Sequence, residues 1–398
     1  MEQIINITDE KQNEIESLLL QIAKRIVEKN KSIDLGLFSG SMGEILFLHE
    51  YSKINHHYQK YIPDHIDHLF ESIEKGNVFH SYCSGLAGVC LGIDYIESET
   101  NPEYERFDFV DDQIHNWLIS QLDSCIKGKD YDFLHGAVGI GFYFLERYKS
   151  GDHALKKALH QLLEFLNDSA IRENDKIKWK NESQEVNISM SHGMVSIILF
   201  VLEVYKADFQ TEYNLSQLIQ GAVRFILAQE IDPTVYHSYY PYTSIENEKE
   251  NLKGSRLSWC YGDLGIAVML RKVSEVFNNN LWMEKSTEIL EFSTLRTDSS
   301  IRVVDAGICH GSSGVALMFY NEFLQTGNEK YAEAAKYWMD ITFDFYKEDP
   351  ENFSRVAYDP LNKGYTAKEC FLEGTSGVGL VLLSMRDGKT DWLKFLLL

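Results

Sequence analysis

A short glycine motif recurs seven times in this chain of 398 residues, and each copy leads directly into an apolar run. Six copies have the form Gly-x-x-Gly, and the fourth has Ser196 in place of the second glycine. The first glycines of the copies are Gly40, Gly85, Gly136, Gly193, Gly262, Gly311 and Gly374. Successive copies begin 45 to 69 residues apart, which suits a repeat of two helices with their connections. The motif therefore predicts a helical repeat protein.

The run after each motif is apolar on nearly every side of a helix, as residues 140–145 and 378–383 illustrate. Such a helix must be buried. The segments between motifs are amphipathic and charged, for example residues 156–166. Seven buried helices that alternate with seven amphipathic ones predict an all-α fold, an α/α toroid with an inner and an outer ring. We expect one such domain over residues 1–398, although length alone would allow two or three domains.

Two intervals lack the helical pattern. The first is residues 171–190, in which residues 176–180 alternate between charged and apolar side chains, as is typical of a short strand. Residues 229–257 form the largest interruption, with a tyrosine-rich segment followed by a charged run. We expect a loop or a small β-containing insertion there. It would either line a peptide groove or be a surface insertion without a role.

Composition and charge narrow the functions and partners that the chain can have. The net charge of −22 argues against nucleic-acid binding, because that activity requires a basic surface. An acidic protein suits a positively charged partner, or simply has a soluble acidic surface. The sequence shows neither a signal peptide nor a run of about 20 apolar residues. The six cysteines form no paired framework, so we expect reduced thiols and a cytoplasmic protein.

Two copies of the motif carry residues that favour a metal site. Cys260 lies two residues before a first glycine, and Cys309 with His310 occupies the same place in the next copy. A toroid would bring equivalent positions of neighbouring copies to the same end. Catalytic zinc usually has three protein ligands and one open position, and these side chains supply that number. The alternative is that the cysteines are buried and inert, as is common for free cysteines.

Polar residues at the same level of other copies are candidates for proton transfer. Asp132 lies four residues before one first glycine, and His192 directly precedes another. A carboxylate and an imidazole at one end of a ring could pair, so that Asp132 fixes the tautomer of His192. The alternative is a helix-capping aspartate and a histidine without a special role. His135 also precedes a repeat glycine, and we expect it to be structural or to face the substrate.

Two further candidates flank the first proposed metal ligand. Arg256 lies four residues before Cys260, and Tyr261 follows it directly. A guanidinium group is suited to hold a substrate carbonyl or carboxylate. Arg256 could equally pair with an acid in a loop, and Tyr261 could simply pack against its neighbours. We therefore include both residues as catalytic candidates and keep the structural explanation open.

Three segments together resemble the LanC family, the lanthionine-forming cyclases of lantibiotic biosynthesis. They are residues 259–262 (Trp-Cys-Tyr-Gly), 309–311 (Cys-His-Gly) and 372–377 (Leu-Glu-Gly-Thr-Ser-Gly). Through the seven glycine motifs the resemblance covers essentially the whole chain. Four positions depart from the family's pattern: Ser189 and Ser191 stand in place of the usual small residues before His192, Ser196 replaces a glycine, and Leu257 stands where an acid is common. We expect these changes to affect the fit of the substrate more than the activity.

The resemblance implies a role for each candidate residue. It makes Cys260, Cys309 and His310 the ligands of one zinc ion per chain. His192 matches the family's active-site histidine, Asp132 its aspartate and Arg256 its arginine. The implied protein is a zinc-dependent lanthipeptide cyclase. A cysteine thiolate of a precursor peptide would add to a dehydroalanine or dehydrobutyrine of the same peptide and form a lanthionine or methyllanthionine thioether ring.

The same resemblance indicates partners and alternatives. The substrate would be a dehydrated precursor with a leader and a core, and another protein would carry out the dehydration. Attachment to a dehydratase and an ABC exporter at the inner face of the membrane is left open by the sequence. One alternative is the addition of glutathione to dehydroamino acids in proteins. Others are a non-catalytic zinc-binding helical scaffold for peptides, and a prenyltransferase subunit, whose Asp-x-Cys triplet this chain lacks near both cysteines.

Overall fold

The computed structural model of the protein describes residues 5, 7–29, 34–76, 78–100, 112–247, 252–298 and 301–398. Residues 1–79, 83–104 and 303–398 belong to one compact unit, and residues 80–82 and 105–302 belong to a second. In chain order the α-helices are α1 (Asp9–Glu28), α2 (Ser41–Ser52), α3 (Ile62–Glu74), α4 (Leu86–Thr100), α5 (Asp112–Lys127), α6 (Ala137–Lys149), α7 (Lys156–Ser169), α8 (Met194–Lys206), α9 (Leu215–Leu227), α10 (Pro233–Tyr236), α11 (Asp263–Phe277), α12 (Asn280–Thr294), α13 (Ser312–Thr326), α14 (Glu329–Glu348) and α15 (Thr375–Asp387).

Each glycine motif immediately precedes a buried helix. Every residue of α2 is buried, and so is nearly every residue of α8. The helices between the motifs bury one face only, as α7 does with Leu159, Leu162 and Leu166. The predicted alternation of seven buried helices (α2, α4, α6, α8, α11, α13 and α15) with seven amphipathic ones is therefore confirmed, and the four-residue α10 is additional. Among the described helices, none is both long and apolar enough to cross a membrane.

One kind of backbone hydrogen bond closes most of the loops that precede the buried helices. The N–H of the first helical residue donates to the carbonyl oxygen seven residues earlier, at 2.8 to 3.0 Å, in six of the seven copies. These bonds join Ser41 to Asp34, Leu86 to Phe79, Ala137 to Asp130, Met194 to Asn187, Ser312 to Asp305 and Thr375 to Lys368. The turn is so tight that a Cβ added at Gly139 would clash with the Phe133 carbonyl oxygen. The fifth copy differs, because Gly262 has a φ of 86°, which favours glycine.

Loops of successive copies are joined at one position, two residues before the first glycine. In the first unit the N–H of Cys309 donates to the carbonyl of Leu372, that of Leu372 to Phe38, and that of Phe38 to Cys83, each at 2.9 Å. In the second unit the N–H of Ser191 donates to the carbonyl of Cys260 at 3.2 Å. Within each unit the equivalent positions of linked copies therefore lie at one level. Cys309 occupies this position in the first unit, and Cys260 occupies it in the second.

The described strands form two short antiparallel hairpins. Strands β1 (Ile171–Glu173) and β2 (Lys176–Lys178) lie in the first non-helical interval, where the sequence predicted a strand. Strands β3 (Ala357–Asp359) and β4 (Gly364–Thr366) were not predicted. In the interval 229–257 the described residues contain α10 and a single bridge between Pro241 and Gly254. Residues 248–251 of the expected insertion lie outside the described part of the chain.

Candidate active site

His192 and Asp132 form a close pair in the second unit. Nδ1 of His192 lies 2.6 Å from Oδ2 of Asp132, and both side chains keep some exposure to solvent. Burial lowers the pKa of His192, but the hydrogen bond and charge of Asp132 outweigh it and, with Cys260 and Asp130, raise this pKa above its ordinary value. The imidazole is therefore held in one orientation and is protonated more easily than a free histidine.

Backbone hydrogen bonds fix both partners of the pair. Oδ1 of Asp132 accepts the N–H of His135 at 2.8 Å, and the N–H of Asp132 donates to Oδ1 of Asp130 at 3.0 Å. The N–H of His192 donates to Oγ of Ser189 at 3.1 Å. These bonds lie within the loops that precede α6 and α8. The sequence of each motif loop therefore determines where the carboxylate and the imidazole point.

A cavity of about 360 Å³ opens on the pair, and Asp132, His135 and His192 all line it. The rings of His135 and His192 stack with their centroids 5.8 Å apart and an angle of 21° between their planes. Asp130 and Glu182 add carboxyl groups to the wall. Burial raises the pKa of Asp130, and the charges of Asp132 and Glu182 act in the same direction. The volume is in the range of ligand sites, so a substrate bound in the cavity would lie beside the imidazole of His192.

The segment that carries Cys260 is tied to the loop of His192. The carbonyl oxygen of Cys260 accepts the backbone N–H groups of Met190 and Ser191, and also the Ser191 hydroxyl, each at 3.2 Å. The Cys260 thiol is nearly buried and lies 3.6 Å from Oγ of Ser258. The second unit thus holds the thiol of Cys260 and the imidazole of His192 on two directly bonded loops.

Arg256 and Tyr261 flank Cys260 in sequence and both contact Tyr242. Nε of Arg256 donates to the Tyr242 hydroxyl at 3.1 Å, and the rings of Tyr242 and Tyr261 lie 5.6 Å apart in an edge-on contact. The Tyr261 ring is also 6.2 Å from the ring of His192. Tyr242 belongs to the interval 229–257. This interval therefore contributes a side chain that holds two catalytic candidates.

Cys309 and His310 lie in the loop before α13 in the first unit, and both are partly exposed. The N–H of Cys309 donates to the carbonyl of Leu372 at 2.9 Å. Nε2 of His310 lies 3.4 Å from Oδ2 of Asp305, whose side chain is only 2% exposed. The loop thus carries a thiol whose backbone N–H is hydrogen-bonded and an imidazole that lies next to a buried carboxylate.

The three proposed zinc ligands are divided between the two units, with Cys260 in the second unit and Cys309 and His310 in the first. Thiolate sulfur and imidazole nitrogen are the ligand types that zinc prefers, and three protein ligands leave one position open. The chemistry of these donors therefore fits the zinc ion that the sequence led us to expect.

His49, Glu50 and Glu99 lie close together in the first unit and also resemble a metal site, but their contacts have a different explanation. Nζ of Lys53 lies 2.7 Å from Oε1 of Glu50 and also contacts Glu99, while Nε2 of His49 lies 2.8 Å from Oε2 of Glu99. The Tyr95 hydroxyl donates to Glu50 at 2.8 Å. An ammonium group already neutralises these carboxylates, so the group is an ion-pair network and not a candidate metal site.

An Asp or Asn lies six residues before the first glycine in four copies, and its role was not predicted from the sequence. These residues are Asp34, Asp130, Asn187 and Asp305. Their carbonyl oxygens close the motif loops. The side chains of Asp130, Asn187 and Asp305 also accept backbone N–H groups, at 2.9 to 3.0 Å. A polar residue at a fixed distance from a repeated glycine was the signal that would have identified them.

Comparisons with known proteins support the family resemblance of the sequence and the helical fold of the chain. A family model described as "Lanthionine synthetase C-like protein" matches residues 31–397. The "Nisin biosynthesis protein NisC" of Lactococcus lactis subsp. lactis is 24% identical over 401 residues, which cover 92% of this chain and 90% of that protein. A solved structure titled "Nisin cyclase" superposes with a TM-score of 0.74 at 21% identity and covers 98% of both chains. This likeness shows the α/α-toroid fold that the repeats predicted. The chain, matched over nearly its whole length, belongs to the lanthionine synthetase C-like family.

Proposed function

We propose that the protein is a zinc-dependent lanthipeptide cyclase. Its substrate is a dehydrated precursor peptide, in which a cysteine thiol is joined to a dehydroalanine or dehydrobutyrine of the same chain. We assign Cys260, Cys309 and His310 as the ligands of the zinc ion. The observation that carries the proposal is the direct bonding of the Cys260 loop to the loop of His192, which puts a candidate ligand and a proton-transferring pair on two joined loops. Membership of the family supports this class of reaction.

The metal has one task in this proposal. Zinc held by Cys260, Cys309 and His310 would stabilise the deprotonated form of a substrate sulfur, which makes a thiolate available near neutral pH. The protein contributes a nearly buried thiol at Cys260 and two partly exposed ligands at Cys309 and His310. The partial exposure of the latter two leaves an approach for a peptide.

His192 is assigned the transfer of the proton. When the substrate sulfur bonds to the β-carbon, the electrons of the double bond move to the α-carbon and its carbonyl group, which gives an enolate. Because Nδ1 of His192 is committed to Asp132, Nε2 is the nitrogen that donates a proton to the α-carbon. The raised pKa of His192 keeps more of the imidazole protonated for this step. Before this transfer, the carboxylate of Asp132 stabilises the imidazolium. After it, the product is a thioether.

Arg256 and Tyr261 are assigned supporting roles at the substrate carbonyl. Arg256 carries a permanent positive charge, and the Tyr242 hydroxyl fixes its Nε. A fixed charge near a developing enolate lowers the barrier because the site needs no reorganisation during the reaction. Tyr261 packs between Tyr242 and His192 and limits the positions that a substrate can take.

The expected partners follow from the reaction. A dehydrated precursor with leader and core must be supplied by a separate dehydratase, and a cyclised peptide is then ready for export. The net charge of −22 suits a substrate that carries positive charge. We keep a complex with the dehydratase and an ABC exporter at the inner face of the membrane as part of this proposal, together with a cytoplasmic location.

Metal analysis combined with thiol counting tests the proposal. The protein is loaded with zinc and incubated with a dehydrated precursor, and free thiols of the peptide are counted by alkylation and mass spectrometry. We expect about one zinc per chain and a loss of peptide thiols without a change in mass. Cys260→Ala, Cys309→Ala and His310→Ala should each lose the metal and the activity while keeping the helical circular dichroism. Stoichiometric zinc in all three variants would contradict the ligand assignment.

The same assay separates the alternative functions. A parallel reaction contains glutathione, whose addition would raise the mass of the peptide by one glutathione per modified residue. A protein that adds glutathione would give this product and leave the peptide's own thiols unchanged. A non-catalytic scaffold would bind zinc and peptide without consuming any thiol. Loss of peptide thiols at constant mass is the result that only a cyclase gives.

A further inference from the structure

We propose that Asp305 is a positioning residue for His310, and that it makes Nδ1 the ring nitrogen that binds the metal. The proposal rests on the proposed function in one respect, namely that His310 is a metal ligand. Histidine ligands usually donate their second ring N–H to a carboxylate or a carbonyl, which fixes the tautomer and raises the basicity of the ligand nitrogen. The geometry around His310 contains such a carboxylate.

Asp305 is fixed on several sides by contacts within the first unit. Its Oδ2 lies 3.4 Å from Nε2 of His310 and also accepts the backbone N–H of Tyr358 at 3.0 Å. The Asp305 carbonyl accepts the N–H of Ser312 at 2.9 Å and closes the motif loop. A Cβ at Gly311 would clash with Oδ1 of Asp305, so the glycine makes room for the carboxylate. These contacts hold the carboxylate next to Nε2 of His310.

The hydrogen bonds that the buried carboxylate of Asp305 must accept determine the tautomer of His310. Asp305 is almost inaccessible to solvent, and a buried carboxylate must accept hydrogen bonds to avoid a large desolvation cost. His310 satisfies this need only if Nε2 carries a hydrogen and donates it to Oδ2. In the neutral ring the lone pair then resides on Nδ1. A metal ligand requires that lone pair, so Nδ1 is the ligand atom.

The position of Asp305 relative to His310 agrees with a supporting role. Its Oδ2 lies 3.4 Å from Nε2 of His310, which leaves Nδ1 as the ring nitrogen available to a metal. The hairpin β3–β4, which contains Tyr358, thereby acquires a function: its backbone N–H holds the carboxylate that orients the ligand.

Zinc affinity is the first test, measured by competition with a chromogenic chelator. Asp305→Ala should bind zinc 10- to 100-fold more weakly than the wild type, the usual effect of removing such a partner. Asp305→Asn keeps an acceptor oxygen and loses only the charge, so it should recover part of the affinity. Asp359→Asn is the matched control, because Asp359 lies on the same hairpin and caps Leu361 and Asn362 without touching His310. Equal affinity of wild type and Asp305→Ala would overturn the proposal.

A second measurement uses the wild-type protein and does not depend on the folding of a variant. In protein labelled with ¹⁵N-histidine and loaded with zinc, the His310 resonances are assigned by their loss in His310→Asn. We expect a metal-bound Nδ1 and a protonated Nε2; a metal-bound Nε2 would refute the assignment. A wild type that binds no zinc would refute the proposed function itself. A wild type that binds zinc and forms rings, with an unaffected Asp305→Ala, would refute the role of Asp305 alone.

Discussion

Nδ1 of His192 and Oδ2 of Asp132 are 2.6 Å apart, although the two residues are separated by 60 positions in the sequence. The carboxylate is held by the N–H of His135 and the imidazole loop by Ser189, so neither partner is free to rotate away. The pair has the geometry of a histidine whose tautomer is set by an acid. Nε2 is the ring nitrogen left for a substrate, and both residues line one cavity.

Replacing His192 by Ala should reduce kcat by about 10²- to 10⁴-fold, the range that a general acid or base contributes. Zinc content should stay at the wild-type level, because the imidazole is not one of the proposed ligands. The measurement is the rate of thioether formation by mass spectrometry, alongside metal analysis of the same preparation. Wild-type turnover in this variant would remove His192 from the mechanism.

The Asp132→Asn variant should shift the pH dependence of the reaction. In the wild type, Asp132 raises the pKa of His192 against the effect of burial. As an acid, His192 is active when protonated, so activity falls as the pH rises through this pKa. Without the carboxylate charge the burial effect dominates and the pKa falls, so the alkaline limb of kcat/KM should move to lower pH. An unchanged profile, recorded between pH 5 and about 9 where the helical signal is constant, would contradict the coupling.

The repeats carried enough information to predict the buried helices, but not the contacts that complete the site. A glycine followed by an apolar run predicts a buried helix because both signals are local. The bond of Arg256 to Tyr242 and the contact of Asp305 with Tyr358 join residues that are distant in sequence. No periodicity predicts such contacts, because they depend on how loops of different repeats meet. The proposed ligands could be selected from the sequence because they occupy one repeat position.

The bond between Arg256 and Tyr242 should matter for catalysis and not for metal binding. Arg256→Lys keeps the charge but loses the planar donor group, and we expect kcat to fall by roughly 10²-fold, as for loss of one donor to an oxyanion. Tyr242→Phe removes the acceptor of Nε and should cost on the order of tenfold, the value of one hydrogen bond to a charged group. Steady-state kinetics with metal analysis check both. Loss of zinc in either variant would indicate a structural role instead.

A buried ion pair beside Cys260 should dominate the stability of the second unit. Asp263 is fully buried; its Oδ2 lies 3.1 Å from Nη1 of Arg296, and its carboxylate accepts the N–H groups of Tyr239 and Tyr240. Replacing Arg296 by Met leaves this carboxylate without its countercharge, which costs about 3–5 kcal/mol. Urea unfolding measures the loss.

The control for the buried pair is an exposed pair on α8. Lys206 contacts Glu203 at 2.6 Å, and the lysine side chain is half exposed. Exposed pairs of this kind contribute about 0–1 kcal/mol, so Lys206→Ala should leave the unfolding midpoint nearly unchanged. An Arg296→Met variant as stable as Lys206→Ala would show that the buried pair does not hold the 239–263 region together.

Glycine at the second motif position should be required by close packing in most copies. Gly364, which lies outside the motifs at the start of β4, should be replaceable because the structure leaves room there. A Cβ at Gly139 would overlap the carbonyl oxygen of Phe133 and approach Cβ of Tyr82 at 2.7 Å, whereas one at Gly364 would meet only the Asn362 carbonyl oxygen, at 3.9 Å. Gly139→Ala should therefore destabilise the protein by about 1–3 kcal/mol, the usual cost of overpacking, and Gly364→Ala should be nearly neutral. The fourth copy already has Ser196, whose hydroxyl donates to the Gly193 carbonyl at 2.9 Å. Thermal unfolding of the two variants decides the matter, and equal melting temperatures would show that the motif loop can widen to accept a side chain.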